Sequence, residues 1–172
     1  MKRAIVIGSG GSGKSAFSRA LGKKLGIPVV HLDQLYWLEG WTKRPADEWL
    51  GLLGREIEKE KWIMDGNFGA TREMRMSHAD TVIFLDLPRY VCLFRILKRT
   101  LLYWKRSRPD MADGCREHFD PEFIGWVWNF RRRTRPRLLN EIERTAADKN
   151  VIILNSRNSV RDFLQNAVAD VN

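Results

Sequence analysis

Gly8-Ser9-Gly10-Gly11-Ser12-Gly13-Lys14-Ser15 is the stretch on which the reading of this chain turns. It fits the spacing G-x-x-x-x-G-K-[ST]. In that pattern glycines let the backbone wrap an anion, so that successive N–H groups point inward at the α- and β-phosphates of a nucleotide. Lys14 is expected to reach the β- and γ-phosphates and the Ser15 hydroxyl to ligate Mg²⁺, with Ala16 also in the first turn of a helix whose positive end faces the phosphates. An apolar run at 4–7 precedes the loop and a helical pattern over 15–25 follows it, which is the strand, loop and helix context the motif needs. A dinucleotide loop of the G-x-G-x-x-G type needs no lysine, and this loop has one in register.

Working outward, short apolar runs at 28–31, 62–64, 81–87 and 151–154 join 4–7 as strand candidates. They do not alternate with polar residues, as expected of strands buried on both faces. Between them lie helical patterns at 15–25, 46–60, 89–103 and 122–147, the last kinked or broken near Pro136, and a closing helix at about 160–168. The alternation predicts an α/β fold, a P-loop NTPase three-layer sandwich with a five-stranded parallel sheet, helices on both faces and a small lid. At 172 residues the chain is the size of one domain, expected to span 1–172. Two stretches, 33–44 and 106–120, fit no regular element and are candidates for an acceptor-binding region, extending to about residue 60, and for the lid.

The net charge is +9, and residues 95–137 hold twelve Lys and Arg against five Asp and Glu, or +7 of it. Such a concentration calls for an anionic partner, either phosphates in a cleft or a nucleic-acid backbone on a surface. No run of 18 apolar residues and no secretory leader pattern is visible, so a cytoplasmic protein without a membrane partner is expected. Cys92 and Cys115 fit neither a metal-ligand spacing nor a disulfide framework.

Carboxylates are needed beside a magnesium-phosphate centre. Asp65 ends the run at 62–64 and is expected to hold Mg²⁺ through water. Asp33 follows the run at 28–31 and is expected to bind an acceptor hydroxyl or take its proton. Asp86 also ends a strand, but Pro88 suggests that it caps the next helix. Tyr36, Trp37 and Trp41 follow Asp33 in an irregular stretch, where they read equally as walls of an acceptor pocket or as packing. Arg106, Arg108 and Arg116 read as lid arginines that balance phosphoryl charge, or else as solvated side chains.

These residues resemble the adenylate-kinase-like P-loop kinases, and within them the small bacterial topology modulation proteins, over nearly the whole chain. The smaller group is suggested by His31-Leu32-Asp33-Gln34-Leu35-Tyr36-Trp37 with Trp41, by Trp62-Ile63-Met64-Asp65-Gly66-Asn67-Phe68, and by Ala79-Asp80-Thr81-Val82-Ile83-Phe84-Leu85-Asp86. The resemblance implies ATP and Mg²⁺ as cofactors and a small-molecule acceptor. It further implies that Arg72 or Arg75 grips an acceptor phosphate. Arg95 and Arg99 would stand at the lid entrance, one stacking on adenine and the other contacting phosphate, and Ser156 with Arg157 would lie beside the adenine. Asn67-Phe68 replaces the aromatic-proline-arginine continuation of those kinases, placing Asn67 among the candidate acceptor contacts. The leading expectation is transfer of the γ-phosphate of ATP to a nucleotide or small alcohol by a monomer or homodimer. The alternatives are an ATPase and a nucleic-acid-binding protein acting on DNA topology through residues 95–137.

Overall fold

The computed structural model describes residues 1–145 and 148–168. Its centre is β1 (Arg3–Gly8), whose Ala4, Ile5, Val6 and Ile7 are wholly buried. With no face left for solvent, the strand has no reason to alternate. Successive residues instead feed two cores, Ile5 and Ile7 on one side of the sheet and Ala4 and Val6 on the other.

β1 pairs in parallel with β5 (Trp62–Asp65) and β6 (Thr81–Leu85). β2 (Val29–His31) and β7 (Asn150–Leu154) form the edges, giving the order β2-β5-β1-β6-β7. The expected five-stranded parallel sheet is therefore present. One face is covered by α1 (Lys14–Leu25) and α8 (Arg157–Asn166), through Phe17, Leu21, Phe163 and Leu164. The other is covered by α3 (Ala46–Ile57), α4 (Gly69–His78) and α7 (Arg135–Thr145), through Trp49, Leu53, Met76, Leu138 and Ile142. α5 (Arg89–Leu102) and α6 (Pro121–Arg133) pack on each other through Cys92, Ile96 and Val127. Among the described residues no helix is long and apolar enough to cross a membrane.

Several local expectations change. The pattern over 122–147 divides at Thr134 into α6 and α7, with Pro136 in the first turn of α7, where a missing N–H costs nothing. Residues 146 and 147 of that pattern lie outside the described residues. The stretch 33–44 contains structure: α2 (Leu32–Tyr36), then a small antiparallel pair, β3 (Trp37–Leu38) and β4 (Thr42–Lys43), joined by a 3-10 turn. α4 carries no apolar stripe that would announce it, because one of its inward residues is Arg75. Asp86 caps nothing. The cap of α5 is Pro88 without a side-chain bond, and the Asp86 carboxylate accepts two hydrogen bonds from Arg135 Nε and Nη2, at 2.9 and 2.8 Å.

Candidate active site

All five parallel strands run toward one edge, and β1, β2 and β5 deliver Gly8, Asp33 and Asp65 there. A cavity of about 660 Å³ opens at this edge. Its floor is the glycine loop, where two glycines are required by space. At Gly11 (φ +71°) a Cβ would stand 2.2 Å from the Cys92 carbonyl oxygen, and at Gly10 it would stand 2.5 Å from the Phe123 ring. The loop is thus pressed between α5 and α6, and a side chain at either position would push it off them.

Lys14 Nζ donates to the carbonyl oxygens of Gly8 (3.1 Å) and Ser9 (3.0 Å), which holds the ammonium across the mouth of the loop. Burial lowers its pKa, and the negative charges of Asp65 and Asp33 oppose that shift. Burial also raises the pKa of Asp33, against the pull of Lys14. One cation and one carboxylate therefore face each other in a poorly hydrated place, each leaning toward neutrality and each keeping the other charged.

Asp65 is buried and oriented. Its Oδ1 lies 2.8 Å from His31 Nδ1, while Oδ2 is buried without a hydrogen-bond partner. An orphaned carboxylate oxygen at the floor of a phosphate loop suits a metal-bound water, since Mg²⁺ keeps several of its waters. The described residues contain no cluster of three or more His, Cys, Asp or Glu able to cage a metal. Sequence reasoning gave His31 no part in the site, yet it fixes the Asp65 carboxylate. Asn67 is spent on the loop itself: Oδ1 accepts from Gly8 N–H at 3.1 Å and Nδ2 donates to Gly8 C=O at 2.7 Å. This side-chain clamp ties β5 to the start of the phosphate loop.

The roof comes from α5 and the segment that follows it, residues 103–120. Arg95 Nη1 donates to Ser12 C=O at 2.8 Å; its pKa is lowered by burial and by the nearby charge of Arg157. Arg99 Nε donates to Glu117 Oε1 at 2.9 Å, and Arg108 forms ion pairs with Asp110 at 3.0 Å and with Glu117 at 2.8 Å. Glu117 is buried and holds both arginines over the cavity. Burial pushes the pKa of Asp110 up, but the charge of Arg108 outweighs it, so the net shift is downward. Glu117 and Asp110 were missed by sequence reasoning, because two acids in an arginine-rich loop look like charge balance. The lid rests on the segment after Asp33: Gln34 Nε2 donates to Pro109 C=O (2.7 Å) and Trp41 Nε1 to Arg116 C=O (2.9 Å).

Of the expected site residues, Gly10, Gly11, Gly13, Lys14, Ser15, Ala16, Asp33, Trp37, Trp41, Asp65, Asn67, Arg95, Arg99 and Arg108 line this one cavity. Others do not. Gly8, Ser9 and Ser12 belong to the loop but do not line the cavity. Tyr36 turns to the core, edge-on to Trp49 and against Phe68. Arg106 and Arg116 are exposed on the lid, and Ser156 caps α8 in a reciprocal pair with Ser159, beside Arg157 in its first turn.

The two arginines expected to grip an acceptor phosphate are also committed elsewhere. Arg72 Nε pairs with Glu141 at 2.8 Å. Arg75, wholly buried, donates to the carbonyl oxygens of Gly66 (3.1 Å), Asn67 (2.9 Å) and Phe68 (3.1 Å), and burial lowers its pKa, with Arg72 adding to the shift. It supports the Asp65–Phe68 turn from below. Replacing Arg75 by methionine keeps much of the volume but leaves the Gly66 carbonyl without its donor and takes one donor each from the carbonyls of Asn67 and Phe68, which keep Arg72 and Thr71. The variant should lose about 1–3 kcal/mol of stability, read as a lower denaturant midpoint.

The sheet order and the glycine loop at its centre define the fold of the P-loop kinases. A shikimate kinase from Acinetobacter baumannii in complex with shikimate superposes with a TM-score of 0.56 at 14% identity, covering 96% of this chain and 89% of that one. A gluconokinase from Sinorhizobium meliloti 1021 gives 0.55 at 17% identity, over 95% and 87%. In sequence, the uncharacterized protein YqaC of Bacillus subtilis (strain 168) is 32% identical over 132 residues, 74% of this chain and 72% of YqaC. The chain belongs to the family of YqaC. No family model matches it.

Proposed function

We propose that this protein is a phosphotransferase that moves the γ-phosphoryl group of ATP to the hydroxyl of a small alcohol. The observation that carries the reading is the cavity in which Lys14, on the phosphate loop, faces Asp33, a half-buried carboxylate whose pKa is raised, beneath Arg99 and Arg108. When bound, Mg-ATP supplies the phosphoryl group and a cation that neutralises its charge. The loop N–H groups, Lys14 and Arg95 would hold the phosphates, with Ser15 and the orphaned Asp65 oxygen serving the metal and its water. Asp33 takes the proton of the acceptor hydroxyl, and Lys14, Arg99 and Arg108 balance charge on the transferring group. Residues 33–60 serve as the acceptor-binding region and 106–120 as the lid, whose docking on Gln34 and Trp41 excludes water.

An alcohol is favoured over a nucleoside monophosphate by the arginines themselves. Arg72 and Arg75 are occupied by Glu141 and by backbone carbonyls, so neither is free to bind a second phosphate. Within the P-loop kinases, the phrases around Asp33, Asp65 and Asp86 favour the topology modulation group, and an ATP donor favours the cytoplasm.

The test is ADP formation from Mg-ATP with a panel of sugars, nucleosides, nucleoside monophosphates and short oligonucleotides. Stimulation by an uncharged alcohol is expected. ADP release equal with and without every acceptor would indicate an ATPase, and binding of oligonucleotides without turnover, weakening steeply with salt, would indicate the nucleic-acid reading.

A further inference from the structure

α5 has a second face that the phosphotransferase reading does not use. Its Cys92 and Ile96 pack under the glycine loop and against α6, and its Arg95 and Arg99 enter the cavity. On the far side, Tyr90, Phe94, Leu97 and Leu101 follow one another at intervals of four, three and four residues, and all are exposed, at 69%, 62%, 46% and 78%. Leu102 (65%) and Trp104 (50%) adjoin them. Intervals of four and three are those of the apolar seam by which one helix packs along another, and an uncovered seam of this kind marks an interface.

We infer that two copies of this chain form a symmetric dimer through α5, packed antiparallel across this seam. The order four, three, four reads the same in both directions, so a two-fold axis between residues 95 and 96 makes the seam complementary to itself. It sets Tyr90 opposite Leu101 of the second copy and Phe94 opposite Leu97, a large side chain against a smaller one at each level. The area suffices. Taking roughly 200 Å² for an aromatic side chain and roughly 100 Å² for a leucine, the six residues expose roughly 550 Å² of apolar surface. A standard interface buries about 800 Å² per partner, about 65% of it apolar in homodimers. The seam is one side chain wide, which fits a single facing helix better than a membrane plane, although Lys98 and Lys105 beside it would also suit anionic lipid. Lys98 falls at the rim of the dimer about 7.5 Å along the axis from its counterpart, where the two repel, so salt tightens this dimer by screening them.

Sedimentation of the intact chain at micromolar concentration, in low and in high salt, tests the inference. The expected species has twice the 20.1 kDa mass of the chain and associates more tightly in high salt. Leu97→Lys, at an exposed position next to the axis, should weaken association about 30-fold or more with the thermal melt kept. A Phe94→Cys, Leu97→Cys double variant should form crosslinked dimers on oxidation, whereas Tyr90→Cys, Leu97→Cys should not. A monomer at both salt concentrations overturns the dimer, as does a Leu97→Lys protein that stays dimeric through another surface. So does a monomer that binds phosphatidylglycerol vesicles and is released by salt, which would assign the seam to lipid.

Discussion

Replacing Lys14 by alanine should lower acceptor-dependent ADP formation by about 10²- to 10³-fold, the loss typical of deleting one preorganised charge-stabilising group from a buried site. Lys14 Nζ is placed by two loop carbonyls and lies in the fields of Asp33 and Asp65, so its charge is fixed before any nucleotide arrives. Preorganisation of this kind is what an ammonium elsewhere on the surface could not replace. The fold should survive. The fold lowers the pKa of Lys14, so its charged form is held at a cost, and alanine removes that cost together with two part-buried hydrogen bonds. A melting temperature close to that of the parent with turnover lost is the expected pair of results. Turnover within tenfold of the parent would remove Lys14 from the chemistry and take the phosphotransferase reading with it.

The glycine loop and the sheet were legible in the sequence for one physical reason. A central parallel strand is buried on both faces, so residues 4–7 appear as an unbroken apolar run, and a phosphate loop must follow such a strand. Legibility ended where a polar residue does a structural job. Arg75 occupies an inward position of α4, which hid the helix and made the arginine look available to a ligand. Asn67 looked like an acceptor contact because it follows Asp65-Gly66, but its amide matches the N–H and C=O of Gly8. Glu117 and His31 act through partners distant in sequence, Arg99 and Arg108 for one and Asp65 for the other. Spacing along the chain carries no trace of such pairs. Tyr36 shows the same limit from the apolar side: aromatic character alone did not say whether it would face the cavity or meet Trp49 and Phe68.

Asp33→Asn should separate activity from stability, moving them in opposite directions. Asparagine keeps the shape but cannot take a proton, so acceptor-dependent turnover should fall about 10²- to 10⁴-fold. In the parent, turnover should rise with pH through the pKa of Asp33, which burial holds above the ordinary carboxylate range, because the ionised form is the base. Stability runs the other way. The folded state favours protonated Asp33, so its contribution is fully present below the unfolded pKa of about 3.9 and is lost as pH rises through the raised folded value. Near neutral pH the parent therefore carries an ionised carboxylate that its surroundings disfavour, and the asparagine variant should melt at a higher temperature. The difference should shrink as pH falls toward about 4, where both side chains are neutral. Lys14 limits the gain, since removing the Asp33 charge takes away one of the fields that keep its ammonium protonated. A variant that melts below the parent at neutral pH would mean that Asp33 is a structural partner of Lys14, and the proton acceptor would then have to be sought elsewhere in the cavity, with Asp110 next in reach of Ser15.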